Sequence, residues 1–442
     1  MIRSLEPVDF ITGYLYDRDM TDGPPPAQGK ILSLQYHCFP DEAGGAWRVT
    51  YEINRRLAQR GWTVHLITCN PGEELADRET IQGVVYDRIG VKPSKRPVSL
   101  WRALRRRLNA ALSDSPGSPA RVVHVHNPLV GFLALLNPRM WNVPMLYHFH
   151  SAWYDEEQVN RRERLLLEGR AGPGAELLFL LRLKLIRLME WTCYCAARRI
   201  LVLSRYSQER LGEYFPLGKD KVQVLPGGVD TGEFHPVTDS ASRDALRARL
   251  GFPVDRPVLL TVRRLRARMG IETLIEAAKL LTTAQPEAEF LIVIAGRGPL
   301  APRLEQLVRD LGVQDRVRLA GFVPQETLPL YYQAADLFVL PTESIEGFGM
   351  ATLEALASGI PVMGTPVGGT VEILQSIDDR LLFKSTEARA IADGLAGFLQ
   401  DPESYRALGR QGRQIVEDRY DWEPIVTEME RCLQSLVRAD KR

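Results

Sequence analysis

Short apolar runs recur along the chain at intervals that leave room for a helix or loop between them. In the first half they occupy residues 31–39, 63–68, 122–125, 145–149, 200–203 and 222–225, each rich in Val, Ile, Leu or aromatic side chains. Runs of that length and spacing predict the buried strands of a parallel sheet. A second series follows Pro226-Gly227-Gly228, at residues 258–262, 290–294, 317–319, 337–340 and 361–364. Between the runs lie helical patterns with apolar positions three and four apart, such as Ile271, Leu274, Ile275, Ala278 and Leu281, or Leu304, Leu307, Val308 and Leu311. Residues 422–437 read as a last amphipathic helix. Residues 1–29, with Asp17, Asp19, Asp22 and Pro24-Pro25-Pro26 but no sustained apolar period, read as a surface extension.

The fold class expected is therefore α/β, with two Rossmann-like, doubly wound parallel-sheet domains facing each other across a cleft. The expected division is an extension over 1–29, a first domain over 30–228, a second over 229–418, and a terminal helix over 419–442 that crosses back to the first. In open sheets of this kind ligands bind outside the C-terminal strand ends, so the residues just after each strand are the candidates.

Composition narrows the chemistry. At 442 residues the chain is too long for one compact core, and 56 Lys plus Arg against 55 Asp plus Glu leave a formal charge of +1. Bulk charge gives no attraction to nucleic acid, and any basic site must be local. Five cysteines, odd in number and mostly among apolar neighbours, fit reduced buried thiols and a cytoplasmic setting. The richest apolar stretch, residues 177–189, is broken by Arg182, Lys184 and Arg187, which argues against a membrane span.

The strongest local signal is Glu346-Gly347-Phe348-Gly349-Met350-Ala351-Thr352-Leu353-Glu354, after the run 337–340. A strand that turns through glycines into a helix leaves the first helical N–H groups unpaired at the positive end of the dipole, a seat for a diphosphate. Gly347 and Gly349 permit close approach, Phe348 lies between them, and Glu354 can offer both carboxylate oxygens to vicinal hydroxyls. Glu346 would face whatever is attached beyond the phosphates. Alone, the segment reads equally well as two surface glutamates flanking a turn. Three further strand ends carry similar chemistry: Arg263-Arg264-Leu265-Arg266-Ala267-Arg268 entering a helix at Gly270, Gly296-Arg297-Gly298-Pro299, and Gly321-Phe322-Val323-Pro324.

With Val229-Asp230, Phe234, Pro236, Gly368-Gly369 and Glu372 added, this half resembles the donor domain of the retaining glycosyltransferases of family 4, which have the GT-B fold. The resemblance spans residues 30–435 and is looser in the first half. It implies that Glu346 touches the donor sugar, Glu354 the ribose, Arg264 the diphosphate, and backbone near Val323 the base, with Gly296 in the same site. It also implies that no metal is needed. Where the family usually has a lysine before the helix-opening glycine, this chain has Met269, and a thioether cannot neutralise phosphate. Arg268 is the expected substitute, with Arg263 or Arg266 adding to it.

In the first half, Gly44-Gly45-Ala46 precedes a helical pattern at Val49, Ile53 and Leu57, another glycine turn at a helix start. A lone Gly-Gly is often only a turn, but the family places an acceptor-side loop there, which selects Gly45. Histidines fall in pairs, His124 with His126 and His148 with His150, each pair on one strand face. A four-histidine metal site ranks low because no acidic residue joins them at ligand spacing. Position, and a family histidine beside the reacting sugar, select His150; the other three read as core or wall residues. Trp101, Leu104, Leu108 and Leu112, among Arg102, Arg105, Arg106 and Arg107, form a basic amphipathic helix suited to an anionic membrane, or equally to packing on the domain.

The expected function is transfer of a hexose-type sugar, with retention, from a nucleotide diphosphate sugar, UDP- or GDP-linked, to the hydroxyl of a glycan, glycolipid or small molecule. The expected catalytic residues are Glu346, His150, Arg264 and Arg268. A GT-B phosphorylase, a sugar-nucleotide epimerase and a catalytically silent nucleotide-sugar-binding protein are the alternatives.

Overall fold

The computed structural model describes residues 28–41, 44–70, 75–90, 97–113, 122–169 and 172–439. The extension expected over residues 1–29 falls, up to residue 27, outside the described residues. Two sheets organise the rest. The first contains β1 (Gly29–Leu34), β2 (Trp62–Cys69), β3 (Arg78–Ile81), β4 (Val84–Ile89), β5 (Val122–Val125), β6 (Met145–Phe149), β7 (Arg199–Val202) and β8 (Val222–Val224). Its order is β3-β4-β2-β1-β5-β6-β7-β8, parallel except at the β3–β4 edge. The second contains β9 (Val258–Val262), β10 (Leu291–Ala295), β11 (Val317–Gly321), β12 (Leu337–Leu340) and β13 (Val362–Gly364) in the order β11-β10-β9-β12-β13, all parallel.

Both sheets are sandwiched by helices, which is why their central strands are apolar at nearly every position rather than alternately. Every residue of β1, β5, β6, β10 and β12 is buried. The antiparallel β3–β4 pair escapes the apolar-run reading because β3 is exposed along most of its length. Its signal is the two-residue turn Gln82-Gly83, both at positive φ (50° and 79°), the geometry that matches hairpin twist.

One apolar cluster joins the halves. It runs from Ile31, Leu146 and Leu201 on one face of the first sheet, through Trp422, Val426 and Met429 of the Trp422–Ala439 helix, into the core of the second sheet. That terminal helix lies against the Gly45–Gln59 helix, where Arg60 pairs with Glu423 at 2.7 Å and Trp62 Nε1 donates to Glu430 at 2.9 Å. Strand register places the four histidines. His124 lies beside Leu146 and Val125 beside Tyr147, so His126 falls next to His148, and all four imidazoles share one face.

The Pro97–Ser113 helix corrects one expectation. Leu100, Leu104, Leu108 and Ala111 are buried in the core on the other face of the first sheet, with Leu112 packed against it. The stripe that suggested membrane docking is consumed by the domain itself. Its arginines are partly committed as well, Arg107 to Asp87 at 3.1 Å and Arg105 over the Trp101 ring at 5.5 Å. All five cysteines are free, with Cys195 exposed and the rest buried. No helix among the described residues is long and apolar enough to cross a membrane.

Trp422 is 2% exposed and lies under the Arg56 guanidinium, 5.5 Å from its ring. Trp422→Ala is expected to lower the urea-unfolding free energy by about 3–5 kcal/mol, the cost of a large core cavity. A loss under about 1 kcal/mol would show that the terminal helix does not join the two cores.

Candidate functional site

The C-terminal ends of β9, β10 and β12 meet the start of the Gly45–Gln59 helix across a cleft of about 680 Å³. Every residue selected from the sequence lines it: Gly45 and His150 from the first half, and Arg264, Arg268, Gly296, Val323, Glu346, Gly347, Phe348, Gly349 and Glu354 from the second. Six arginines and three glutamates contribute to the wall, so a chain of near-zero net charge concentrates positive charge in one place. Low-dielectric walls strengthen such a field.

Local backbone geometry builds the lining. The Met350–Ala357 helix begins after Gly349 with neither a side-chain cap nor an acidic residue in its first turn. The Gly45–Gln59 helix likewise starts uncapped after Gly44. Two helix starts therefore present unneutralised positive dipole ends to the same space. The halves touch closely between them: Ser204 Oγ and Ser207 Oγ donate to the Gly347 carbonyl at 2.7 and 3.0 Å, and Glu372 accepts from the Tyr206 N–H at 2.7 Å. A Cβ at Gly347 would sit 2.6 Å from the His150 carbonyl oxygen, so only glycine fits. At Gly296, φ is 148° and a Cβ would fall 1.7 Å from the Arg263 carbonyl oxygen.

The arginines divide by their partners. Arg263 donates to Glu346 at 2.7 Å and to Thr342 at 3.0 Å, and Thr342 Oγ1 donates to the same carboxylate at 3.3 Å. Arg268 donates to the Ile345 carbonyl at 2.5 Å and stands 3.9 Å from Glu156. Ile345 has φ 56°, costly for a β-branched residue, and this twist sits between Arg268 and Glu346. Arg266 pairs with buried Glu163, whose other oxygen accepts from the Ala267 N–H at 2.9 Å. Arg264 has no carboxylate partner among the described residues. It is flanked by cleft walls yet open to solvent, and burial followed by repulsion from Arg268 pushes its pKa below the usual range. It is the cation best placed to receive an anion.

The two glutamates differ. Burial acts to raise the Glu346 carboxyl, but the charge and hydrogen bond of Arg263, with the charge of Arg268, outweigh it and hold the group below its ordinary range. Burial instead raises Glu354 to about 7, against the Tyr332 hydroxyl, which donates to it at 2.8 Å, and the charge of Arg48. Glu346 is thus a fixed anion, while Glu354 changes charge near neutrality.

His150 Nε2 lies 3.2 Å from His126 Nδ1. Burial pushes His150 down to about 4 and His124 to about 3, so these rings are neutral at physiological pH. His148 and His150 stack with planes 2° apart and centroids 4.8 Å apart. Ring nitrogens of His124, His126 and His148 lie within 4.8 Å of one another, a grouping able to hold a metal ion. Only His150 of the four lines the cleft.

A family model described as "Glycosyl transferases group 1" matches residues 242–415. A second, described as "Glycosyltransferase Family 4", matches residues 43–233. The chain belongs to the group 1 glycosyltransferases of GT-B fold. This glycosyltransferase is 29% identical over 425 residues to the D-inositol 3-phosphate glycosyltransferase of Acidothermus cellulolyticus, covering 91% of this chain and 90% of that one. It is 33% identical over 229 residues to the GDP-mannose-dependent alpha-(1-6)-phosphatidylinositol monomannoside mannosyltransferase of Mycolicibacterium smegmatis, 50% of this chain and 58% of that one. Among solved structures, sucrose-phosphate synthase from Thermosynechococcus elongatus superposes with TM-score 0.76 and 25% identity, covering 93% of this chain and all of that one.

Several lining residues of the glycosyltransferase escaped the sequence reading. Arg48, one turn into the Gly45–Gln59 helix, bonds Glu233 at 2.6 Å, and Glu233 in turn accepts from Gln325 at 3.0 Å, tying the first half to the loop after β11. Only the spacing of Arg48 from Gly45 marked it. Arg297, in the turn after β10, lies over the half-exposed Phe322 ring at 4.7 Å.

The Arg263–Glu346 pair gives a stability test. Its carboxyl is depressed in the folded state, so the pair contributes stability that is present above the ordinary carboxylate range and lost as pH falls below it. Arg263→Ala is expected to cost about 1–3 kcal/mol at pH 7 in urea unfolding, because the half-buried Glu346 then keeps only the Thr342 hydroxyl and the charge of Arg268. The difference from wild type should shrink in acid, and a cost that does not vary with pH would remove the pair from the account.

Proposed function

We propose that the glycosyltransferase is a retaining enzyme that takes its sugar from a nucleotide diphosphate sugar, UDP- or GDP-linked, and passes it to an acceptor hydroxyl. The observation that carries this reading is the cleft in which Arg264, without a carboxylate partner among the described residues, converges with Arg268 and two uncapped helix starts. A diphosphate leaving group develops negative charge as the sugar departs, and preorganised cations and N–H dipoles stabilise that charge without reorganising.

In this mechanism the bond between the anomeric carbon and the diphosphate oxygen breaks while Arg264 and Arg268 hold the departing phosphates. The acceptor oxygen attacks the same face, forming the new C–O bond, and its proton goes to an oxygen of the leaving phosphate. Glu346, fixed as an anion by Arg263, orients the sugar hydroxyls, and neutral His150 hydrogen-bonds to the sugar from the acceptor side. Glu354 holds the ribose, and the Arg297–Phe322 stack beside Val323 forms one wall for the base. The two relatives are named for an inositol phosphate and a phosphatidylinositol mannoside, so a polyol or glycolipid hydroxyl is the acceptor class to test first.

A thermal-shift screen over nucleotide sugars is expected to give one donor that raises the melting temperature, since a ligand at 100 times its Kd adds about 2.7 kcal/mol of apparent stability. With that donor, Arg264→Ala should lower kcat by about 10²–10³, as removal of one transition-state donor does. Near-normal turnover, or no nucleotide sugar that stabilises the fold, would contradict the reading.

Glu354 supplies a second test. Ribose hydroxyls donate to the ionised carboxylate, so binding favours the deprotonated form. Nucleoside diphosphate affinity should then tighten as pH rises from 6 to 8 through a pKa of about 7. Calorimetry on Glu354→Gln should show weaker binding and no such slope, and an unchanged slope would place the ribose elsewhere.

A further inference from the structure

Thirteen large apolar side chains among the described residues are markedly exposed, and six of them fall within twelve positions of one helix, Pro173–Ala196. They are Leu177 (62%), Leu178 (69%), Leu180 (48%), Leu181 (54%), Leu185 (53%) and Leu188 (54%). Leu177, Leu181, Leu185 and Leu188 follow one another at spacings of four, four and three, so they share a single face. The opposite face is already used: Leu183, Ile186, Met189, Cys193 and Tyr194 are buried against the first half. The helix therefore has two apolar faces, and the described residues cover only one. Clustered exposure of this kind marks a contact surface rather than ordinary surface composition.

Charge selects the occupant. From residue 177 to residue 189 the helix carries Arg182, Lys184 and Arg187 and no acidic residue. All three cations are exposed and border the leucine face. Pairing with a second copy through this face would bring two such sets of cations together without compensating carboxylates in the stretch. An anionic bilayer instead offers hydrocarbon to the leucines and negative headgroups to the cations.

The helix is also tied to the acceptor-side wall of the cleft. Glu190 accepts from the N–H of Trp153 at 2.7 Å, at the start of the Trp153–Glu168 helix that carries Glu156 of the cleft wall and Glu163. Arg161 of that helix stacks on Phe179 at 4.2 Å, and Glu157 pairs with Arg182 at 3.1 Å. We propose that the exposed leucine face of the Pro173–Ala196 helix, with Arg182, Lys184 and Arg187, is a peripheral docking surface for an anionic lipid bilayer. The mode of attachment is in-plane, with the leucines entering the headgroup boundary and the cleft held against the membrane surface. The inference does not depend on the donor reading, since docking is measured without nucleotide.

The test is co-sedimentation of the full chain with vesicles of phosphatidylcholine and phosphatidylglycerol in equal amounts, beside vesicles of phosphatidylcholine alone. Binding to the anionic vesicles is expected, weakening as salt is raised. The double variant Leu181→Glu/Leu185→Glu should lose at least tenfold in binding, and Lys184→Glu about fivefold or more, in line with roughly 1 kcal/mol per basic residue near the surface. Val254→Glu, which charges a comparably exposed apolar site in the second half, should leave binding unchanged. Melting temperatures check that each variant folds, and Lys184→Glu keeps the test open if the double variant does not. Equal sedimentation with both vesicle types, or wild-type binding by folded Lys184→Glu, would overturn the proposal. A stable dimer in solution that Leu181→Glu/Leu185→Glu turns into a monomer would give the face to a second copy instead.

Discussion

Like-charged guanidinium groups crowded into one recess repel, and that repulsion is the constraint around which the structure is arranged. Arg263, Arg266 and Arg268 are each held by a group that offsets part of their charge: Glu346, Glu163 and the Ile345 carbonyl with Glu156 nearby. Arg264 is left without one among the described residues. The cost of gathering these charges is met by carboxylates drawn from both halves, so the positive field survives only where a ligand can enter. Glu163 belongs to the first half and Arg266 to the second, which makes the same ion pair both a neutraliser and a brace across the cleft.

Backbone geometry lets the charges converge. Glycines at 296 and 347 allow main chain to approach main chain where any Cβ would collide, and the positive φ of Ile345 directs its carbonyl to Arg268 while presenting Glu346 to Arg263. Behind the cleft the imidazoles of His124, His126 and His148 form a buried, uncharged polar layer that adds no further positive charge beneath His150. The terminal helix then fixes the two sheets through a shared apolar core, so the distance between the facing helix starts is set by packing.

Much of this was legible in the amino-acid order because parallel strands write themselves as apolar runs, and the chemistry follows immediately after them. The runs at residues 122–125, 145–149, 258–262 and 337–340 coincide with β5, β6, β9 and β12, and the residues chosen after those strands line the cleft. What periodicity does not report is the neighbour that covers an apolar face. Residues 101–112 carry a conspicuous basic amphipathic stripe that the domain buries, while residues 177–188 keep a leucine face open that the sequence showed only as a charge-broken apolar stretch. Contacts between distant segments were invisible for the same reason: nothing near Arg48 names Glu233, and nothing near Glu163 names Arg266. The β3–β4 pair was missed because a two-residue turn and an exposed strand leave no apolar run to count.

The most direct test of the central claim is a crystal structure of the protein with a bound nucleoside diphosphate. The expected result places phosphate oxygens within hydrogen-bonding distance of the Arg264 and Arg268 guanidinium groups and of the N–H groups that open the Met350–Ala357 helix, with both ribose hydroxyls at Glu354. A diphosphate bound outside this cleft, or in it with Arg264 still facing solvent and the helix start untouched, would contradict the account.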